Sequence, residues 1–323
     1  VELHLTREEF ARLTAAPSAV DELGAEGGGL IVLTGSGRSQ PPVEVPPLLP
    51  AVVVAAAGPT PDPGAGGAEV VADGDDVDLL RTAVGHNPQA ATALAVLLRG
   101  ADTRSAAEGL HAESAVYGVL QAGSEFGRWR SAHPIRNRAT VGGPPVVVHR
   151  DGSRLELVLS RPAVRNALDA SMRDALAAAL LAALDDEAVH VELRGEGGSF
   201  CSGGDLDEFG TRPDPATAHL VRLARSPGWL LHQLAARTHV VVHGPCRGSG
   251  VELPAFAGRV TAHPDATFAL PEVAMGLIPG AGGTVSLVRR IGRHHTARLA
   301  LTGRVIDAPT ARAWGLVDEV HAG

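Results

Sequence analysis

The chain has 323 residues, is 45% hydrophobic and carries a formal net charge of −8, so it can bury one or two real cores. It has no basic run of a kind that would suit nucleic acid, and no lysine at all, which excludes imine chemistry and a lysine-bearing phosphate loop. The longest apolar run, near Ala51 to Ala57, is too short to cross a bilayer.

Thr6-Arg7-Glu8-Glu9 has the form of a capping box and predicts a short helix. The β-branched runs Leu30 to Thr34 and Ala51 to Val54 then read as buried strands, each bounded by Gly or Pro. Pro59 to Gly67 is a loop by composition. From about residue 75 to 130 the spacing turns helical: Asp76 to Val84, Pro88 to Arg99, and Ser105 to Leu120 with Ser105 as cap and Glu108 behind it. Residues 133–145 are rich in Pro and Gly and read as a linker. Beyond Val146 strands and helices alternate. Val146 to Val148 pairs with Leu155 to Leu159 around Asp151-Gly152, Ser171 to Leu184 is a helix, Val189 to Leu193 and His239 to His243 are strands, and Val251 to Ala257 is a short helix.

Two glycine-rich turns follow strands: Phe200-Cys201-Ser202-Gly203-Gly204-Asp205 and Gly248-Ser249-Gly250. A turn opening a helix presents backbone N–H groups and the positive end of the helix dipole. Two such donors aimed at one point form an oxyanion hole, although either turn alone reads better as a place needing positive φ. Glu252 and Glu272 each sit in an apolar stretch. A carboxylate so placed is a solvated helix residue, is paired, or has a raised pKa suited to proton transfer.

Other constellations fail. The glycines near Gly195 and Gly280 lack the dinucleotide-binding spacing, and neither Ser202 nor Ser249 sits in a nucleophile elbow. The 14 histidines are scattered, so no metal site is expected. Cys201 and Cys246 show neither zinc spacing nor a disulfide framework. The start Val1-Glu2-Leu3-His4 lacks a signal-peptide pattern, and a cytoplasmic protein with reduced thiols is expected.

From about Val146 to Val320 the sequence resembles the crotonase superfamily, the enoyl-CoA hydratase/isomerase family. The resemblance is carried by Ser160-Arg161-Pro162, Asn166-Ala167-Leu168, Phe200 to Leu206, His243-Gly244, Gly248 to Leu253, Phe268 to Gly276, Gly280 to Thr284, Leu301 to Arg304 and Gly315 to Val320. It implies an α/β fold with a spiral core of two packed sheets ringed by helices. It also implies a thioester oxygen held by the Gly204 and Ser249 amides, with Glu252 and Glu272 handling water and its proton. Substrate contacts would come from Arg165, Ala167, Ser202, Asp205, Gly248, Pro271 and Gly280. Coenzyme A enters with the acyl-CoA substrate and no separate cofactor is implied. Trimers or hexamers of like subunits are the family's habit. Family members often have Ala at the position of Gly204 and Gly at that of Ser249, and a lysine that often follows the first turn is absent here.

In the family a helical cap follows the last of these motifs. Here residues 78–133 resemble that cap yet precede the core, and the strands before them resemble two crotonase strands. The expected organisation is degenerate crotonase-like strands over 1–68, a helical cap over 69–140 and the catalytic core over 146–323. Hydration or dehydration of a 2-enoyl-CoA leads. Double-bond isomerisation, thioester hydrolysis or other CoA-enolate chemistry, and a non-catalytic scaffolding role remain open.

Overall fold

The computed structural model describes residues 2–16, 18–24, 29–35, 42–57, 63–136 and 142–321. Residues 59–62 of the predicted loop and 137–141 of the predicted linker lie outside them.

The chain opens with a strand that the sequence reading missed, β1 (Glu2–Thr6). Its alternation of polar and apolar residues is the period of a strand. Thr6 then caps α1 (Arg7–Thr14) in the predicted capping box, with Glu9 returning the bond. After α2 (Ala19–Gly24), strands β2 (Gly29–Thr34), β3 (Ala51–Ala56) and β4 (Val70–Ala72) complete a four-stranded parallel sheet in the order β1-β2-β3-β4. Its two faces are buried in different cores. Ile31, Leu33, Val53 and Ala55 pack with Phe10, while Leu30, Val32, Val52 and Val54 join the main core of the molecule. Burial on both faces explains why β2 and β3 read as continuous apolar runs.

Four helices follow: α3 (Gly74–His86), α4 (Pro88–Arg99), α5 (Ala106–Gln121) and α6 (Ser124–Ala132). Each of the first three starts where the sequence supplies a start signal. Asp73 accepts from the Asp76 N–H, Pro88 occupies the first turn of α4, and Ser105 and Glu108 form a second capping box. Arg99 near the end of α4 is tied to the sheet. It donates to Glu69 at 2.7 Å and to the Leu49 carbonyl at 2.5 Å, and Glu69 also accepts from the Val53 N–H at 2.6 Å.

The rest of the chain supplies β5 (Val146–Asp151), β6 (Arg154–Leu159), α7 (Ala170–Leu184), β7 (His190–Gly195), α8 (Pro215–Ala224), α9 (Pro227–Gln233) and β8 (Thr238–Val242). Then come β9 (Pro245–Arg247), α10 (Ser249–Glu252), β10 (Arg259–Ala262), β11 (Thr267–Ala269), α11 (Gly283–Thr302), β12 (Ile306–Asp307), α12 (Ala308–Trp314) and β13 (Glu319–Val320). They build a six-stranded sheet in the order β13-β10-β8-β7-β6-β5, parallel except for β5, and a small sheet β12-β11-β9. The predicted helix over 251–257 is corrected. It is one turn of α-helix ending at Glu252, then a 3₁₀ turn over Pro254–Phe256, because Pro254 cannot continue the ladder of helical hydrogen bonds.

The first four helices pack on this second half within the same chain. A central tie is Asp76 of α3, fully buried, which meets Arg304 at 2.6 Å and forms an ion pair with Arg298 of α11 at 2.5 Å. Removing it strands the Arg304 guanidinium and leaves Arg298 with Asp73 alone, 3.1 Å away. Asp76→Ala is expected to cost about 2–3 kcal/mol, less than the ~3–5 kcal/mol of a wholly buried pair. The discount is due because the Arg298 and Arg304 side chains are 25% and 32% exposed. A lowered urea midpoint at unchanged slope is the result to look for.

Candidate active site

The glycine turns and the glutamates lie around one cavity of about 390 Å³, bounded by α5, α8, α9 and the loops after β7, β9 and β11. Gly204, Asp205, Ser249, Glu252, Glu272 and Gly280 all stand on its wall. Arg165, Ala167, Ser202, Gly248 and Pro271 do not. Arg165 is exposed and in the left-handed region, at φ 54°. Its carbonyl accepts from the Ser202 N–H at 2.9 Å. Thus Arg165 and Ser202 shape the turn behind the wall. Asn166, also at positive φ, is buried and donates to the carbonyls of Glu196 and Ser199 at 2.8 and 2.9 Å.

The two turns are packed directly together. The Arg247 N–H donates to the Cys201 carbonyl at 3.1 Å, and a side chain at position 250 would run into that same carbonyl. Gly248 has φ 48°, and any β-carbon there would collide with the Glu272 carboxylate. Leu168 bridges the first turn, giving its N–H to Gly203 and accepting from Asp205. Between those two bonds the Gly204 N–H has no acceptor among the described residues, and the same holds for the Ser249 N–H at the start of α10. Glycine at 204 has a local cause, since a β-carbon there would strike the Phe209 ring. The Ser249 hydroxyl turns to the Cys201 thiol, 3.7 Å away.

Three carboxyl groups line the cavity beside the turns. Glu252 is 2% exposed, and one of its oxygens accepts from the Ala281 and Gly283 N–H groups at 2.7 and 2.8 Å. Glu113, from α5, accepts from the alternate amides, Gly282 at 2.7 Å and Thr284 at 2.8 Å, and from the Thr284 hydroxyl at 2.8 Å. Four successive N–H groups entering α11 are thus divided between two carboxylates. Glu272 is 8% exposed, and its Oε2 has no hydrogen-bond partner among the described residues.

Burial raises the pKa of all three. Glu252 is pushed up to about 7, restrained by the backbone N–H groups it accepts from. Burial and the Glu252 charge push Glu113 up to about 8. Burial and then the Glu252 charge hold Glu272 well above the usual carboxylate range. Glu252 has donors that stabilise its charged form, whereas Glu272 has an unpartnered oxygen. The arrangement therefore separates a carboxyl that ionises first, Glu252, from one that its charge helps keep protonated, Glu272.

The preceding helices hold these groups in place. Asn87, between α3 and α4, donates to the Val273 carbonyl beside Glu272 at 2.9 Å. Gly276, at φ 71°, lies so close to Glu125 and Phe126 of α6 that a β-carbon would not fit. Glu125 in turn caps α4 through the Gln89 and Ala90 N–H groups. Tyr117 of α5 lies against Gly280 and burial raises its pKa. Sequence reading missed Glu113 and Tyr117 as site residues. They fall on the buried stripe Ala106, Gly109, Glu113, Tyr117, Leu120 of α5, and a carboxylate in such a stripe is the signal that could have found them.

The described residues contain no group of three His, Cys, Asp or Glu side chains placed to hold a metal ion, and no described helix is long and apolar enough to cross a membrane.

The fold is the α/β fold of crotonase-type enoyl-CoA hydratases. An enoyl-CoA hydratase structure from Mycobacterium smegmatis superposes with TM-score 0.51 at 32% identity, over 56% of this chain and 71% of that one. One from Thermoplasma volcanium does so with TM-score 0.50 at 32% identity, over 55% and 72%. The family model for enoyl-CoA hydratase/isomerase matches residues 151–323. The chain belongs to the enoyl-CoA hydratase/isomerase family and is an enzyme of that hydratase type. Among curated relatives it is 35% identical to the 2,3-dehydroadipyl-CoA hydratase of Escherichia coli, over 54% of this chain and 68% of that protein. It is 32% identical to a mevalonyl-coenzyme A hydratase of Beauveria bassiana, over 51% and 62%.

Proposed function

We propose that this enzyme adds water across the double bond of a 2-enoyl-CoA thioester, or removes it in reverse, using Glu252 as base and Glu272 as acid. The observation that carries the reading is the separation of the two carboxyl groups on one cavity wall. One is anchored by two N–H donors and one has an oxygen without a partner among the described residues, and both line the cavity that holds Gly204 and Ser249, whose N–H groups are unpaired among those residues.

The Gly204 and Ser249 N–H groups donate to the thioester carbonyl oxygen. As water attacks the β-carbon, negative charge moves onto that oxygen, where fixed donors stabilise it without reorganising. Glu252, ionised, takes the proton from water. Glu272, protonated, delivers one to the α-carbon, and the pair returns to its starting state by proton exchange. The hydratase names of its relatives support this choice within the family. The helices within 69–140 act as the cap of the catalytic core of 146–323, placed ahead of it in the chain, and the strands within 1–68, whose sheet is completed by β4, derive from crotonase-like strands that lost the catalytic turns. Assembly into trimers or hexamers belongs to the same proposal.

The test is loss of the enoyl absorbance of a panel of trans-2-enoyl-CoA thioesters, with the product identified after reaction in isotopic water. Incorporation of one oxygen from water at the β-carbon is expected. Migration of the double bond without water would replace this reading by isomerisation, and release of free CoA would replace it by hydrolysis.

A further inference from the structure

The cavity wall carries four arginines, and three are accounted for. Arg173 and Arg225 share the Asp174 carboxylate at 2.8 and 2.9 Å, and Arg212 is exposed. Arg222 of α8 differs. It is half-buried, and its hydrogen bonds go only to neutral groups: the Ser114 hydroxyl at 2.9 Å and the Ser114 carbonyl at 3.1 Å. Its guanidinium lies 4.7 Å from the centroid of the Tyr117 ring. Among the described residues no carboxylate lies within ion-pair distance, and Nη1 has no acceptor. The same Ser114 hydroxyl also meets His219 at 2.9 Å.

A guanidinium drawn out of water onto the wall of a mostly apolar cavity is costly unless something compensates it. Here Ser114 fixes one edge and Tyr117 one face, which leaves the remaining edge for a planar anion. Arg222 stands against α5, which carries Glu113 and Tyr117, and lines the same cavity as Gly204 and Ser249. A thioester held at Gly204 and Ser249 would share that cavity with the free edge of Arg222.

We propose that Arg222 selects acyl-CoA substrates whose acyl chain ends in a carboxylate. The inference rests on the reading of Gly204 and Ser249 as the thioester site, and it deepens that reading by naming a substrate class. It does not depend on hydration taking place.

Binding of saturated thioesters tests it without turnover. Adipyl-CoA, hexanoyl-CoA and free CoA are titrated by calorimetry into the wild type, Arg222→Met and Arg222→Lys. The wild type is expected to bind adipyl-CoA at least about tenfold more tightly than hexanoyl-CoA, the scale of a hydrogen bond to a charged group. Arg222→Met is expected to erase that preference while still binding hexanoyl-CoA and free CoA as the wild type does, and Arg222→Lys to keep part of it. Equal binding of the two thioesters by the wild type overturns the proposal. So does equal weakening of both in Arg222→Met, which would make Arg222 a packing residue. Weakened free CoA in that variant overturns it too, by assigning the guanidinium to a CoA phosphate. Adipyl-CoA preference without hydration of its 2-enoyl counterpart would sink the hydratase reading alone. Hydration without the preference would sink this inference alone, and no binding of any thioester would sink both.

Discussion

Glu272→Gln is expected to lower kcat for hydration by about 10²–10⁴-fold, the usual contribution of a positioned proton donor, while binding of a saturated acyl-CoA stays nearly unchanged. Glutamine matches glutamate in shape. The Oε2 of Glu272 has no partner among the described residues to lose, so the fold should tolerate the change. What disappears is the proton destined for the α-carbon. Glu252→Gln should be similarly damaging for the opposite reason. A glutamine carbonyl can still accept from Ala281 and Gly283, as the Glu252 oxygen does, but it cannot take a proton from water. The double variant should be little worse than either single one, because base and acid serve one transition state. Losses that multiply would mean that the two groups contribute independently to that transition state.

The same two groups set the pH dependence. In the proposed mechanism activity needs Glu252 ionised and Glu272 protonated. The acid limb of the rate profile should therefore lie near the pKa of Glu252, pushed up to about 7, with the alkaline limb above it where Glu272 loses its proton. Stability runs the other way. Each buried carboxyl binds its proton more tightly in the folded chain than in the unfolded one, where it titrates near 4.5. The contribution is complete below that pH and is lost as pH rises through about 7 and 8. Urea midpoints should fall between slightly acid and alkaline solution, and less steeply in Glu252→Gln.

Much of this was legible in the sequence because local chemistry dictates it. Capping residues announce α1 and α5, and the β-branched runs of β2 and β3 match strands buried on both faces. Glu252 and Glu272 stand out because carboxylates are rare in apolar stretches. What escaped were short elements held by neighbours rather than by propensity. β4 is three residues long and exists because β3 offers it an edge. The run after Val251 carried the periodicity of a helix, yet Pro254 divides it into two turns. Glu113 escaped because its role is made across a sequence separation of 169 residues, with the Gly282 N–H. No local pattern encodes a contact of that span.

That contact makes Glu113 the most informative position outside the proposed base and acid. Its carboxylate and that of Glu252 divide the N–H groups of residues 281–284 between them, so the placement of one depends on the other. Glutamine at 113 has a single acceptor oxygen for donors that now use both carboxylate oxygens. Its amide must face an N–H, leaving a buried donor unpaired at a cost of about 1–3 kcal/mol. The entry to α11 would loosen, and with it the two donors that favour the ionised form of Glu252. With Glu113 pushed up to about 8, its own charge is mostly absent at the pH of the acid limb, so loss of the donors should dominate. Glu113→Gln is expected to reduce kcat about tenfold or more, an effect of roughly 1.4 kcal/mol, and to move the acid limb to higher pH. A lower melting temperature with the limb unmoved would make Glu113 a purely structural brace. A limb displaced to lower pH would mean that Glu113 is ionised in the working enzyme and that its charge opposes that of Glu252.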